Sequence, residues 1–158
     1  AEIIHKLIEV TANNGALLLN MSPMSDGTFP QNQKDCIANV GVWLWSYGEA
    51  IYDTRPFVIS HEVTADGYRI FYTKKDNTVY AIFLDWPGTK KPITLTGLKK
   101  SNLAGREINK VTLLSVKRNY DCIFSQEDNG LILRFPQDSR IPSDAASVVK
   151  FELKQKRK

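Results

Sequence analysis

A short apolar run, residues 16–20, is followed by the side chains best suited to contact a substrate. Asn20, Met21 and Ser22 mark its end, and Asp26 lies in the loop beyond. If the run is a barrel strand, its carboxyl end is where active-site residues sit. The same residues also suit a plain turn. If Asp26 were a catalytic acid that cleaves a glycosidic bond, it would need a second carboxyl group nearby. The sequence places no such group beside Asp26.

The sequence has no motif for the other kinds of catalytic site considered, which are nucleotide sites, catalytic histidines and nucleophilic serines. The chain has no GxGxxG or GxxxxGK[ST] pattern for a nucleotide. His5 and His61 have no partner at ligand or triad spacing, and neither Ser22 nor Ser25 lies in a G-x-S-x-G elbow. We therefore expect no catalytic residue, no metal site and no cofactor in this chain.

Two tryptophans are candidates for sugar stacking, because pyranose faces pack on aromatic rings. Trp45 lies on a predicted helix, away from the apolar stripe that includes Trp43, and Trp86 follows a predicted strand at a turn. Packing in the core or between domains is the alternative for each ring. The sequence leaves both alternatives open.

Charge and cysteine content exclude several classes of protein. The net charge is +4, but the excess lies in the tail 154–158, which predicts a solvated terminus and no nucleic-acid partner. No apolar stretch is long enough for a membrane span. Cys36 and Cys122 belong to no metal or redox motif, and we expect both to be buried, with a disulfide between them left open.

The first third of the chain has helical and buried-strand patterns. Residues 2–12 predict a helix ended by Asn13, Asn14 and Gly15. The run 16–20 predicts a strand covered on both faces. A second helix is predicted from Pro30 to Gly48, so the segment is typical of an α/β layer or barrel.

From about residue 52 the apolar period becomes two, which predicts an all-β region. The candidate strands are 57–63, 68–73, 79–84, 92–96, 108–116, 121–125, 130–135 and 147–153. Residues 75–77 predict a hairpin turn. Short strands without helices between them are typical of an antiparallel sandwich, and the boundary with the first segment is predicted at 53–56.

Two segments resemble those of the α-L-fucosidases, a family of glycoside hydrolases. NGALLLNMSP at 14–23, with DGT at 26–28, is similar to the last barrel strand and loop of that family, NGNLLLNxxPxxDGT. GVWLWSYGEAIYDTRP at 41–56 is similar to its GxWLxxNGEAIYGTRP. The hairpin around 71–87 fits as well. The departures are Ala16 for Asn, Ser22 for Gly, Tyr47 for Asn and Asp53 for Gly.

The resemblance implies the last strand and helices of a (β/α)8-like catalytic domain at 1–52, followed by a C-terminal antiparallel β-sandwich at 53–158. It implies retaining hydrolysis of α-L-fucosyl linkages by an aspartate nucleophile and a carboxylic acid/base. Both catalytic residues are expected upstream of Ala1, because no residue of this chain matches them. Residues 20–22 would then lie at the active-site rim.

The resemblance also implies partners and a location. We expect a fucosylated glycan, bound through the barrel, and the remainder of the catalytic domain, and a homo-oligomer is compatible with the sequence. A secreted, periplasmic or lysosomal location is expected, with its signal upstream of Ala1, since the chain begins inside a predicted helix. The alternatives are a non-catalytic carbohydrate-binding or interaction module derived from such a hydrolase, and a cleaved enzyme whose other part is a separate chain.

Overall fold

Helices precede strands in the computed structural model, which describes residues 1–139 and 142–155. The described helices are α1 (Glu2–Ala12) and α2 (Gln31–Tyr47), with short 3-10 turns at Gly48–Ala50, Thr96–Leu98 and Lys100–Leu103. The described strands are β1 (Arg55–Val63), β2 (Arg69–Lys75), β3 (Thr78–Phe83), β4 (Ile93–Leu95), β5 (Ile108–Leu113), β6 (Tyr120–Asp121), β7 (Ile123–Glu127), β8 (Gly130–Arg134) and β9 (Ser147–Leu153).

The end of α1 follows the predicted stop signal. Asn14 has a φ of 61°, in the left-handed region that asparagine tolerates. Its N–H donates to the carbonyl of Thr11 at 3.1 Å, and the N–H of Gly15 donates to that of Val10 at 2.8 Å. These two bonds satisfy carbonyls that the helix end would leave unpaired. Since α1 spans Glu2–Ala12, the predicted helix 2–12 is confirmed at both bounds.

The predicted strand at 16–20 is not formed in the described chain. Residues 15–24 have no regular secondary structure, and the side chains of Leu18 and Leu19 are 85% and 42% exposed. A strand is held by hydrogen bonds to a neighbouring strand, and neither described sheet includes this segment. Its apolar character is present without the pairing that would make it a strand.

Two antiparallel sheets form the sandwich that the alternating pattern predicts. The larger has the order β1-β2-β3-β9-β5-β6 and the smaller the order β4-β8-β7. The β2–β3 hairpin pairs Lys75 with Thr78 across the predicted turn, where Asp76 has a φ of 51°. The predicted strand 121–125 is divided at Cys122, because the chain leaves the larger sheet after β6 and enters the smaller one at β7.

The larger sheet is covered on both faces at its centre. Along β3, Val79, Ala81 and Phe83 belong to the core between the two sheets. The alternate residues Tyr80 and Ile82 pack with the helices in a second apolar cluster. That cluster also contains the following buried side chains: Ile4, Ile8, Trp43, Tyr47, Ala50, Ile51, Leu114, Ala146 and Val148. The described chain is therefore a three-layer arrangement of helices, large sheet and small sheet.

The stripe predicted on α2 is buried only at its end. Trp43 and Tyr47 are the fully buried residues of this helix, whereas Ile37 is 38% exposed and Val40 and Leu44 are half-buried. Most residues in the first turns of α2 are exposed. Cys36 is therefore half-buried rather than buried, and both cysteines are free thiols.

Asp53 and Lys154, at the two ends of the sandwich, each differ in part from what the sequence predicts. Asp53, which stands where the similar family has glycine, has a φ of 58° that aspartate tolerates better than most residues. Lys154 is exposed to solvent as predicted, but it is not frayed, because its N–H donates to the carbonyl of Glu107 and its Nζ donates to that side chain. Residues 156–158 of the predicted tail lie outside the described residues.

Stability should fall at alkaline pH because several buried groups must stay protonated. Burial raises the pKa of the Cys122 thiol from 9.0 to about 12 and that of Tyr47 from 10.0 to about 12. Burial, with the Glu62 charge, also raises the pKa of Tyr72. Because each folded-state pKa lies above the unfolded value, this stability is complete below pH 9 and is lost as pH rises toward 12.

We expect the free energy of unfolding to begin falling near pH 9, by up to about 1.4 kcal/mol per pH unit for each such group. Urea titrations from pH 7 to 11 measure this. Cys122→Ala should move the onset to about pH 10, whereas the control Cys36→Ala should leave the onset near pH 9. An equal change in the two variants would contradict the assignment to Cys122.

Candidate functional site

The predicted rim residues lie on an exposed, irregular segment. Asn20 and Ser22 are exposed and Met21 is half-buried. The backbone N–H of Ser22 donates to Oε1 of Gln33 on α2 at 3.0 Å, which ties the segment to the second helix. The structure does not bring these three residues together with Trp45 or Trp86, since the clefts around the two tryptophans include none of them.

Asp26 is engaged by its own turn. Its Oδ1 accepts from the N–H of Thr28 at 2.9 Å and from the hydroxyl of Thr28 at 2.7 Å. Within the same turn, the N–H of Gly27 donates to the carbonyl of Met24. These bonds to Thr28 favour the ionised carboxylate and lower the pKa of Asp26. The arrangement supports the turn-forming alternative for this residue.

Both histidines have structural contacts. Nε2 of His5 donates to the carbonyl of Ala145 at 2.7 Å, which fixes α1 to the segment before β9. His61 lies 3.3 Å from the hydroxyl of Ser60 and packs on the ring of Phe71. The Ser60 hydroxyl belongs to the neighbouring residue in the strand, and neither of these contacts adds the carboxylate that a triad requires.

Trp45 is 92% exposed on α2 and does not pack on the sandwich. It borders an open groove of about 430 Å³ that also includes Glu49 and Tyr52. The Tyr52 ring lies across the helix end at Gly48, where a Cβ would come within 2.6 Å of the ring. The groove therefore has two exposed aromatic rings beside one carboxylate.

Trp86 lies at a larger cleft of about 820 Å³ in the β-sandwich. Its ring is half-buried and packs against Phe135, with 4.8 Å between ring centroids. The cleft runs between the turn at Asp66–Tyr68 and the loop 86–93. Trp86 therefore packs on the core and also lines an open cavity, and sugar stacking on this ring stays a prediction.

Two hydrogen-bond networks, each centred on a carboxylate, were not predicted from the sequence. Glu49 accepts from the hydroxyl of Tyr80 at 2.9 Å and from Nζ of Lys150 at 2.8 Å, which joins the end of α2 to the large sheet. Burial and the Glu49 contact raise the pKa of Tyr80. No local signal indicates this site, because Glu49 and Lys150 are 101 residues apart.

The second network is centred on Glu62 in β1. Its carboxylate accepts hydrogen bonds from the hydroxyls of Tyr72 and Thr96 and from the N–H of Gly97, the last at 2.9 Å. Tyr72 is completely buried. A Cβ on Gly97 would lie 2.4 Å from Ile59, so glycine permits this close approach. Glu62 therefore holds the turn after β4 against the large sheet.

Within the described ranges, no group of three or more His, Cys, Asp or Glu side chains could hold a metal ion. None of the described helices is long and apolar enough to cross a membrane.

Comparison with known families gives matches for both the helical segment and the sandwich. Residues 1–49 match the alpha-L-fucosidase model, and residues 64–152 match the model of the alpha-L-fucosidase C-terminal domain. The second match alone covers more than half of the chain, and the two occur in the expected order. The chain belongs to the α-L-fucosidase family, as its sequence predicts.

Individual relatives agree with the family. The human tissue alpha-L-fucosidase is 32% identical over 158 residues, which are 95% of this chain and 31% of that protein. The human plasma alpha-L-fucosidase is 34% identical over 139 residues, 86% of this chain and 28% of that protein. This chain therefore spans about a third of the length of the curated relatives that it matches.

Solved structures share the fold. The Thermotoga maritima alpha-fucosidase in complex with fucose superposes with a TM-score of 0.74 at 28% identity, over 95% of this chain and 33% of that one. Alpha-L-fucosidase isoenzyme 1 from Paenibacillus thiaminolyticus has a TM-score of 0.75 at 28% identity, over 98% of this chain and 34% of that one. The helices and the sandwich thus occur together in fucosidases.

Proposed function

We propose that this chain supplies the closing segment and the supporting β-sandwich of an α-L-fucosidase. Residues 1–52 form the end of its (β/α)8-like catalytic domain, and residues 53–158 form its C-terminal domain. The observation that carries the proposal is the ordered match to two fucosidase family models, at 1–49 and 64–152. The substrate is a glycan with a terminal α-L-fucosyl group.

The exposed apolar segment between the helices supports the barrel assignment. Leu18, Leu19, Met24 and Phe29 are between 39% and 85% exposed. Side chains of this kind are stabilised by burial, and an unpaired extended segment is a template for a neighbouring strand. In the proposal, the remainder of the catalytic domain covers these residues and pairs with 16–20, so that Asn20, Met21 and Ser22 lie at the active-site rim.

The chemistry of hydrolysis belongs, in this proposal, to residues outside the chain. Retaining hydrolysis needs a nucleophile and an acid/base about 5 Å apart. The acidic side chain closest in sequence to the rim, Asp26, is already engaged by Thr28, and Glu49, before the sandwich junction, is engaged by Tyr80 and Lys150. Both carboxylates serve the fold, which favours a scaffolding role for this chain.

The purified chain should not hydrolyse an aryl α-L-fucoside. Without the nucleophile and proton donor, the rate per molecule should be at least about 10⁴-fold below that of the Thermotoga maritima enzyme on the same substrate. Release of the aryl alcohol measures this, with that enzyme as the positive control. Turnover that co-elutes with the chain on gel filtration would overturn the proposal.

A chimera tests the scaffolding role directly. Residues 1–158 replace the matching third of the Thermotoga maritima enzyme, and the chimera should retain fucosidase activity. A folded but inactive chimera would contradict the proposal that this chain completes the barrel.

A further inference from the structure

The cleft beside Trp86 has the size and shape of a ligand site. Its volume of about 820 Å³ lies within the range of small-molecule pockets, roughly 300–1,000 Å³. One wall is the turn with Asp66 and Tyr68, and the other is the loop that carries Trp86, Lys90 and Lys91. This volume is sufficient for a short oligosaccharide.

Trp86 is held rigidly at this cleft. Its ring packs on Phe135 at a centroid distance of 4.8 Å and an interplanar angle of 47°. Phe135 is itself fixed edge-on against Phe83, which is completely buried. A ring that is already ordered loses little conformational freedom when a ligand stacks on it. Tyr68 adds a second half-buried aromatic side chain to the opposite wall.

The polar groups of the cleft have unused hydrogen-bonding capacity. Among the described residues, none forms a side-chain hydrogen bond or ion pair with Asp66, Lys90 or Lys91. The nearest strong pair does not neutralise them, because Arg69 and Asp85 are bound to each other at 2.9 and 3.0 Å. Two lysines and one aspartate leave the lining with an excess of one positive charge.

We propose that this cleft binds a short oligosaccharide that carries an acidic group. Trp86 stacks on a pyranose ring of this ligand. Lys90 and Lys91 donate to the acidic group, and Asp66 accepts from sugar hydroxyls. This site goes beyond the proposed hydrolysis, since it requires only residues of the sandwich and no catalytic carboxylate.

The three tryptophan indole N–H signals of the chain report binding separately. Trp43 donates to the carbonyl of Ala146, Trp45 is exposed on α2, and Trp86 lines the cleft. In ¹H–¹⁵N spectra of the chain titrated with 3′-sialyllactose, only the Trp86 signal should shift markedly, with a Kd of about 1 mM. Neutral lactose should bind at least about threefold more weakly, and the difference should shrink in high salt.

Matched variants locate the site. Trp86→Ala should abolish the shifts of nearby amides, whereas Trp45→Ala, which removes an equal ring outside the cleft, should leave the affinity unchanged. The double variant K90Q/K91Q should reduce binding of 3′-sialyllactose to the level of lactose. K34Q/K117Q, with the same loss of charge elsewhere, should not.

Several results would overturn the proposal. They are the absence of a Trp86 shift up to about 20 mM ligand, a shift of the Trp45 signal instead, and equal affinity for lactose. Amide dispersion checks that each variant is folded. If Trp86→Ala unfolds, the K90Q/K91Q variant tests the proposal, because both lysines are exposed. Failure here would leave the chimera assay unaffected, so the two proposals are tested independently.

Discussion

Replacement of Trp43 by alanine is expected to lower the free energy of unfolding by about 3–5 kcal/mol. Trp43 is 4% exposed and packs on Tyr47 with 5.6 Å between ring centroids. Its indole N–H donates to the carbonyl of Ala146 at 3.0 Å, across 103 residues of sequence. Alanine would leave a cavity between the helices and the large sheet and an unpaired carbonyl. Urea unfolding followed by far-UV circular dichroism measures the change.

Trp45, two residues along the same helix, is the matched control. Its side chain is 92% exposed, so Trp45→Ala should change the free energy of unfolding by no more than about 0.5 kcal/mol. Trp43→Phe, which keeps an aromatic ring but removes the donor, should fall between the two. Similar losses for Trp43→Ala and Trp45→Ala would show that the helices do not pack on the sheet as described.

Replacement of Glu62 by alanine should cost about 2–4 kcal/mol. The substitution removes the acceptor from the hydroxyls of Tyr72 and Thr96 and from the N–H of Gly97. The largest loss comes from Tyr72, whose buried hydroxyl would have no partner and no access to water. Urea unfolding at pH 7 again gives the value.

A double-mutant cycle with Tyr72→Phe isolates the contribution of the Glu62–Tyr72 hydrogen bond to the free energy of unfolding. In the Tyr72→Phe background, Glu62→Ala should cost less by about 0.5–3 kcal/mol, because no buried hydroxyl is then left unpaired. Glu127→Ala is the control: among the described residues, this exposed carboxylate accepts only from Ser125, and the loss of stability should be small. Additive effects of Glu62→Ala and Tyr72→Phe would contradict a direct contact.

The strands were predictable because local patterns and tertiary contacts agree along most of the sandwich. The hairpin at 75–77 combines a turn sequence with two alternating strands, and the structure pairs Lys75 with Thr78 as that combination requires. The end of α1 was predictable for a similar reason, since Asn14 suits the left-handed conformation. The position of Trp43 in the apolar stripe was also predicted correctly.

What could not be predicted depends on partners distant in sequence. The run 16–20 has the composition of a buried strand, but composition does not supply the neighbouring strand. The contact of Glu49 with Lys150 crosses 101 residues and has no local signature. The cleft at Trp86 arises because the 66–68 turn and the 86–93 loop come together; the sequence indicated only one of its rings.

The position of β9 in the large sheet determines when the domain can fold during its synthesis. This strand lies between β3 and β5 in the large sheet, although β3 is separated from it by 63 residues of chain. Domains fold as units during synthesis when their parts have emerged. A ribosome must therefore release residues as far as Leu153 before the sheet can close, and until then the inner edges of β3 and β5 are exposed to chaperones and to neighbouring nascent chains.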